Sequence, residues 1–281
     1  MKALKTPLRY PGGKSRACVK LEQYLPDLNG YKEFREPFIG GGSVALHLTK
    51  KYPDISIWVN DLYEPLVNFW KELQHNGERL QHELLDLKRR HSTPTDARVL
   101  FNNCKDHLSL PVEKSLPFWR AVSFYVVNKC SFSGLTESSS FSKQASESNF
   151  SMRGIEKLVE YSKLIEDWKI TNSSYEDLLT DWNGAFIYLD PPYDIKDNLY
   201  GRKGGMHKKF DHDKFAEDCD NSVAHQLISY NSSQLVKNRF KEWNVSEFSH
   251  TYTMRSVGQY MSDQQDRKEL VLFNYRVDSN E

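Results

Sequence analysis

Apolar positions along this chain follow two rhythms, and each rhythm names an element. Compact apolar runs closed by turn residues read as buried strands at residues 55–60, 185–189, 226–230 and 270–275, with a shorter strand at 169–171. The second rhythm is helical. Leu66, Phe69, Trp70, Leu73, Leu80, Leu84 and Leu87 fall near one face of a helix over residues 65–90, and residues 116–127 form another apolar helix candidate. If residues 8–15 are an ordinary turn, a further helix begins near Ser15, and Asp211 reads as the N-cap of one running from His212 to about residue 219. Residues 131–151 are Ser-rich and polar without a clear period, the pattern of a loop.

The strand at 185–189 runs into Asp190-Pro191-Pro192-Tyr193. Neither proline can donate to a strand ladder, so the chain kinks there with bare carbonyls. Open α/β sheets bind their ligands at the carboxyl ends of the strands. A carboxylate, a carbonyl and an aromatic ring at such an end suit a planar amino group carried on an aromatic base. Asp190 and the Pro191 carbonyl can each accept one N–H, while Tyr193 offers a face for stacking. Held that way, the amine lone pair is drawn out of ring conjugation and can attack an electrophilic methyl group. The plain structural alternative is a Pro-Pro turn that closes a strand.

Near the start, Glu36-Pro37-Phe38-Ile39-Gly40-Gly41-Gly42-Ser43-Val44-Ala45 predicts a strand, a glycine turn and the opening of a helix. Gly40-x-Gly42-x-x-Ala45 fits the fingerprint in which glycines let the backbone approach a dinucleotide. Asp61 ends the strand at 55–60, nineteen residues beyond Gly42, the separation expected of a carboxylate that grips ribose hydroxyls. Together they point to an adenosine-bearing cofactor, either NAD or S-adenosylmethionine, and Asp-Pro-Pro-Tyr favours the second. Leu8-Arg9-Tyr10-Pro11-Gly12-Gly13-Lys14-Ser15 is not a phosphate loop, because Leu8 stands where that pattern needs a glycine. It reads either as an ordinary turn into a helix or as a loop over the cofactor, with Tyr10 beside it and Lys14 facing its carboxylate or DNA.

Three of these segments, Arg9–Lys14, Glu36–Ser43 and Asp190–Tyr193, resemble the motifs of the Dam-type (D12 class) SAM-dependent DNA adenine-N6 methyltransferases. Asn128-Lys129-Cys130-Ser131-Phe132-Ser133-Gly134-Leu135 is similar to that family's recognition-domain signature, and the order of the four motifs fits as well. The resemblance implies an α/β chain: a Rossmann-like SAM-dependent methyltransferase sheet from residues 1–61 and 170–281, with a mostly helical target-recognition domain inserted at 62–169. It implies S-adenosylmethionine as cofactor, held by Tyr10, Lys14, Phe38, Gly40, Gly42, Ser43, Asp61 and Asp190, with Tyr175 and Asp177 flanking the adenine. Ser173 or Ser174 is expected to cap the helix that opens there. Asp190, Pro191, Pro192 and Tyr193 would be the catalytic set. Double-stranded DNA would be the partner, met by Asn128, Lys129, Phe132, Gly134, Leu135 and Glu137, for a monomer or weak dimer in the cytoplasm of a prokaryotic cell or phage-infected host. A cognate restriction enzyme stays an open question.

One departure bears on the target. Where GATC-specific relatives carry an arginine two residues after the Gly-Leu pair, this chain has Thr136-Glu137. Arginine reads guanine through paired donors, whereas glutamate only accepts and prefers an amino group such as that of cytosine. The relatives' downstream Asn-Val-Pro is also Asn149-Phe150-Ser151 here. Both changes argue against GATC.

Composition narrows the picture without deciding it. The chain has 281 residues, and its 38 basic and 38 acidic side chains cancel, so DNA affinity has to come from local patches. Residues 88–91 form one, better read as a solvated helix end where cations suit the dipole. Arg202, Lys203 and Lys208, soon after the Asp-Pro-Pro-Tyr element, form another that is suited to phosphate contact. The four cysteines lack metal or redox spacing. His207, Asp211 and His212 make a weaker metal set than Asp211 makes a helix cap. No signal peptide and no membrane-spanning run is present. Asn231 faces either the target base or the next helix as its cap, and residues 262–268 read as a polar DNA-side loop. Transfer to cytosine N4 or to RNA adenine, a binding module without turnover, and a nicotinamide oxidoreductase remain the competing readings.

Overall fold

The computed structural model describes residues 6–10, 13, 14, 17–132, 134, 139–180, 182–193, 210–250 and 267–277. Its strands are β1 Glu33–Glu36, β2 Ser56–Asn60, β3 Lys169–Thr171, β4 Ala185–Leu189, β5 His225–Asn231, β6 Asn244–His250 and β7 Arg267–Phe273. They form one sheet in the order β3-β2-β1-β4-β5-β7-β6. The first five strands run parallel, and β7 lies antiparallel between β5 and β6. This is the Rossmann-like methyltransferase arrangement that the resemblance implies.

The helices are α1 Cys18–Leu21, α2 Ser43–Lys51, α3 Glu64–Arg90, α4 Pro94–Ser109, α5 Pro117–Cys130, α6 Lys143–Ser148, α7 Met152–Glu156, α8 Leu158–Leu164, α9 His212–Asn221 and α10 Gln234–Arg239. Every element named between β2 and β3 is a helix. Alternate strand side chains leave opposite faces of a sheet, and the core divides accordingly. Phe186, Tyr188, Leu227 and Val271 belong to a cluster that continues through Phe69, Trp70, Phe124 and Tyr125 of α3 and α5. Ile187, Leu189, Ile228, Leu270 and Leu272 face the other way, onto Phe215, Val236 and Phe240. The sheet face and the helical layer therefore share one continuous core.

Several expectations shift. The first strand lies at Glu33–Glu36, ahead of Phe38 and Ile39, although three of its four residues are charged. Its charges are paired: Arg35 bonds Glu33 at 2.6 Å, donates to the Leu178 carbonyl at 2.8 Å and lies 4.7 Å from the Trp58 ring. α1 starts at Cys18 with Ala17 as its N-cap, and Ser15 lies outside the described residues. Residues 131–151, expected as a loop, hold a Ser131–Phe141 bridge and the short helix α6, capped by Ser142, and end on Ser151, which caps α7. Ser233, not Asn231, caps α10 by accepting from the Val236 N–H. Ser174 precedes a 3-10 turn without a side-chain cap bond, and Ser173 instead donates its hydroxyl to Asn60. Asp211 caps α9 as expected, through Asp213 and Lys214. The long helix α3 covers its expected span but breaks its helical dihedrals at Asn76, next to Gly77, where a Cβ would stand 2.3 Å from Ser162 of α8.

Candidate active site

Strand order reverses between β1 and β4, the place where an open sheet leaves a crevice at its carboxyl edge. Three segments enter that crevice: the glycine turn after β1, Asp61 after β2, and Asp190 after β4. Gly40 and Gly42 have φ of 47° and 68°, a region that a Cβ disfavours. The space around them is also filled. A Cβ on Gly40 would lie 2.8 Å from the Tyr10 ring, and one on Gly42 2.7 Å from the Trp70 indole. Trp70 in turn donates its ring N–H to the Gly40 carbonyl at 3.2 Å.

Gly42 is also the N-cap of α2 and has no side chain to offer the helix. The need is met from β1, where Glu36 accepts the Ala45 N–H at 2.9 Å. Glu36 is buried, and desolvation pushes its carboxyl well above the ordinary range. Ser43 opens α2 from a buried position, with its carbonyl near the Cys18 thiol at 3.5 Å. Asp61 accepts the Gly40 N–H at 3.1 Å and the Tyr63 N–H at 3.0 Å. Burial nonetheless raises its carboxyl to about 6. Each carboxylate oxygen has two acceptor sites, so these two bonds leave capacity for a ligand hydroxyl.

The N-terminal segment closes over this turn. Tyr10 packs on Gly40 and Gly41, and its carbonyl accepts the Gly13 N–H at 3.1 Å. Lys14 follows, only 3% exposed. Its ammonium lies 3.0 Å from Asp190 and 3.4 Å from Glu269, and donates to the Tyr193 hydroxyl at 2.5 Å. Tyr193 donates that hydroxyl to Glu269 at 3.1 Å, and its ring stacks on Tyr230 with centroids 6.0 Å apart. Burial pushes the Asp190 carboxyl up to about 6; Lys14 pulls it down, and Glu269 adds to the rise. Pro191 and Pro192 hold the kink between Asp190 and Tyr193.

Beyond the crevice, Phe38 and Tyr175 stack at 5.6 Å, with Phe210 and Phe215 edge-on to Phe38. The Tyr175 hydroxyl is tied to Asp218 at 2.6 Å. Asp177 stands on the exposed side of the same 3-10 turn.

The residues read as DNA contacts separate into two kinds. Asn128 is 0% exposed, with its side chain spent inside the protein. It accepts the Arg9 N–H at 2.9 Å and donates to the Arg9 and Gly134 carbonyls at 2.7 and 2.9 Å. Arg9 returns the contact through its guanidinium, to the carbonyls of Ser131 and Phe132. Gly134 has φ of 73°, and a Cβ there would meet the Arg9 carbonyl at 2.6 Å. Lys129 is buried near Tyr125, with its ammonium lowered to about 8 by burial and then by Arg9. Phe132, by contrast, is 48% exposed. Leu135, Glu137, Arg202, Lys203 and Lys208 lie outside the described residues, as do Thr136 and His207.

Two residues of the site escape sequence reading: Glu36, whose bond to α2 joins positions nine apart, and Glu269. The signal for Glu269 is faint, a single acid opening an otherwise apolar run in the strand at 270–275. Among the described residues, no group of three or more His, Cys, Asp or Glu side chains is placed to hold a metal, and no helix is long and apolar enough to cross a membrane.

A strand-end carboxylate joined through two prolines to a tyrosine, beside a glycine turn and a second strand-end carboxylate, is the arrangement that the resemblance implied for an amino-methyltransferase. Residues 10–254 match the family described as D12 class N6 adenine-specific DNA methyltransferase, and the chain belongs to that family. Its sequence is similar to M1.LlaDCHI, a type II methyltransferase of Lactococcus lactis subsp. cremoris, at 22% identity across 95% of this chain and 94% of the relative. M.MjaIII, a type II methyltransferase of Methanocaldococcus jannaschii, is 25% identical over 66% of this chain and 68% of its own. M.CviBI of Paramecium bursaria Chlorella virus NC1A is 20% identical over 97% and 100%. The chain is an adenine-specific DNA methyltransferase.

Proposed function

We propose that this enzyme transfers a methyl group from S-adenosylmethionine to the N6 amine of an adenine extruded from double-stranded DNA, at a target other than GATC. The observation that carries this is Asp190-Pro191-Pro192-Tyr193 at the carboxyl end of β4, with Asp190 and Tyr193 joined to Lys14 opposite the glycine turn. The residues present fit the cofactor. The positive-φ glycines bring bare backbone to the crevice, Phe38 and Tyr175 supply aromatic faces for its adenine, Asp61 accepts from ribose hydroxyls, and buried carboxylates favour a cationic ligand. Tyr10 packs on the same turn and Ser43 directly follows it, while Lys14, paired with Asp190, would meet the cofactor carboxylate. When bound, S-adenosylmethionine supplies an electrophilic methyl group on sulfur.

The protein's own part is positioning. Asp190 and the Pro191 carbonyl accept the two N–H bonds of the target amine and turn its lone pair toward the donor, while Tyr193 stacks on the base. No enzyme nucleophile is needed. The helical layer at 62–169 serves as the target-recognition domain. Within it, Asn128 and Gly134 hold the segment that carries Phe132; Phe132, Leu135 and Glu137 are the candidates for reading the groove, and Arg202, Lys203 and Lys208 for phosphate contact. Glu137, an acceptor where GATC readers carry arginine, supports a different target, and a cognate restriction enzyme would share it.

The test is methyl transfer from labelled S-adenosylmethionine to unmethylated DNA, with nucleoside mass spectrometry of the product and long-read mapping of its sites. N6-methyldeoxyadenosine is expected, lost in Asp190→Ala with cofactor binding largely retained. Product at cytosine N4, or full activity of Asp190→Ala, overturns the assignment of base or mechanism respectively.

A further inference from the structure

We propose that Glu269 is a positioning residue of the methyl-transfer site, fixing the Lys14 ammonium and the Tyr193 hydroxyl against Asp190, an inference that rests on the reading of that site given above. Glu269 sits in β7, where its backbone pairs with Asn231 of β5 and Phe248 of β6. Its neighbours Leu270, Val271 and Leu272 are fully buried, and Glu269 itself is 1% exposed. A carboxylate in such a strand is costly unless charged and hydrogen-bonding partners meet it. Here they do, and two of them among the described residues come from the catalytic edge: Lys14 at 3.4 Å and the Tyr193 hydroxyl at 3.1 Å.

The arrangement does more than neutralise Lys14, which Asp190 alone would accomplish at 3.0 Å. Two carboxylates share one ammonium. The Tyr193 hydroxyl accepts from Lys14 and donates to Glu269, so the in-plane position of the ring is set by a charged pair. Tyr230 behind the ring sets its tilt. Glu269 therefore governs where a base stacked on Tyr193 sits relative to Asp190. Its charge also adds to the burial that raises the Asp190 carboxyl, which strengthens Asp190 as an acceptor.

Glu269→Gln keeps the side-chain shape and removes the charge. Loss of a charge-assisted bond at the site should lower kcat by about 10–100-fold. KM for DNA and Kd for S-adenosylmethionine should stay within about threefold, since the base and cofactor contacts remain. Tyr193→Phe removes the shared hydroxyl, so Glu269→Gln in that background should cost clearly less than in the wild type. Wild-type kcat in Glu269→Gln overturns the proposal. So does a loss matched by equal losses of cofactor affinity and thermal stability, which would mark a purely structural role. If the wild-type chain methylates no adenine, the proposed function fails instead. The same double-mutant cycle read on urea unfolding then decides whether Glu269 and Tyr193 act as one unit, and strict additivity there also overturns the inference.

Discussion

Replacing Gly42 by alanine tests whether the glycine turn is held by strain and crowding together. The backbone there has φ of 68°, and the added Cβ would stand 2.7 and 2.8 Å from two carbons of the Trp70 indole. A left-handed backbone costs an alanine roughly 1–2 kcal/mol. Trp70 is fully buried, so it has little room to retreat; overpacking of this kind costs about 1–3 kcal/mol. Any shift also loosens its bond to the Gly40 carbonyl, worth about 0.5–1.5 kcal/mol. The expected total, about 3–6 kcal/mol, is a large part of the 5–15 kcal/mol that holds a typical protein folded. Urea unfolding followed by tryptophan fluorescence should show the midpoint falling by about 1–2 M, for a slope near 3 kcal/mol per molar. Gly41→Ala is the control: its φ is ordinary and its nearest neighbour is the Tyr10 Cβ at 3.1 Å, so it should cost less. A Gly42→Ala protein with the wild-type midpoint would refute the reasoning, above all if cofactor affinity had fallen, because the turn would then have moved away without strain.

Other changes read other parts of the site. Tyr193→Ala should weaken capture of the target base by about 1–3 kcal/mol in KM for DNA, while Tyr193→Phe keeps that KM; equal KM values for the two would remove the stacking role. With Asp190 accepting in its ionised form, as proposed, and burial pushing its carboxyl up to about 6, kcat should fall as pH drops through that value and level off above it. A profile flat from pH 5 to 8 would contradict this. Asn128→Ala strips partners from the Arg9 N–H and from the carbonyls of Arg9 and Gly134, and should destabilise the fold by about 2–4 kcal/mol in thermal unfolding. No change in melting temperature would show that water replaces the amide.

What the sequence reveals about this molecule is mostly what neighbouring residues decide between themselves. β4 and Asp190–Tyr193 are legible because an apolar run, two prolines and a tyrosine are consecutive. Asp211 as a cap and α3 as an amphipathic helix are legible for the same reason. β1 is placed late because Glu33, Arg35 and Glu36 look like surface residues; the Leu178 carbonyl, Trp58 and the Ala45 N–H that bury them lie elsewhere in the chain. β6, with Ser246 and Glu247 among its residues, carries little apolar signal at the sheet edge and is not read as a strand at all. α4 is likewise unread. Asn128 illustrates a different limit. Its position in a motif marks it as important, but only the structure shows that its amide faces Arg9 rather than outward.

The clasp between Arg9 and Asn128 bears on how far this enzyme can be taken apart. Residues 131–151, within the proposed target-recognition layer, look like a cassette that an engineer would exchange with a relative to change the target. Yet the base of that cassette is stitched to the residue preceding Tyr10, which rests on the glycine turn. A chimera that moves the cassette alone leaves position 9 facing carbonyls it was not matched to. Successful transplants should carry positions 9, 128 and 134 together with the reading segment, so that the smallest exchangeable unit is discontinuous in the chain.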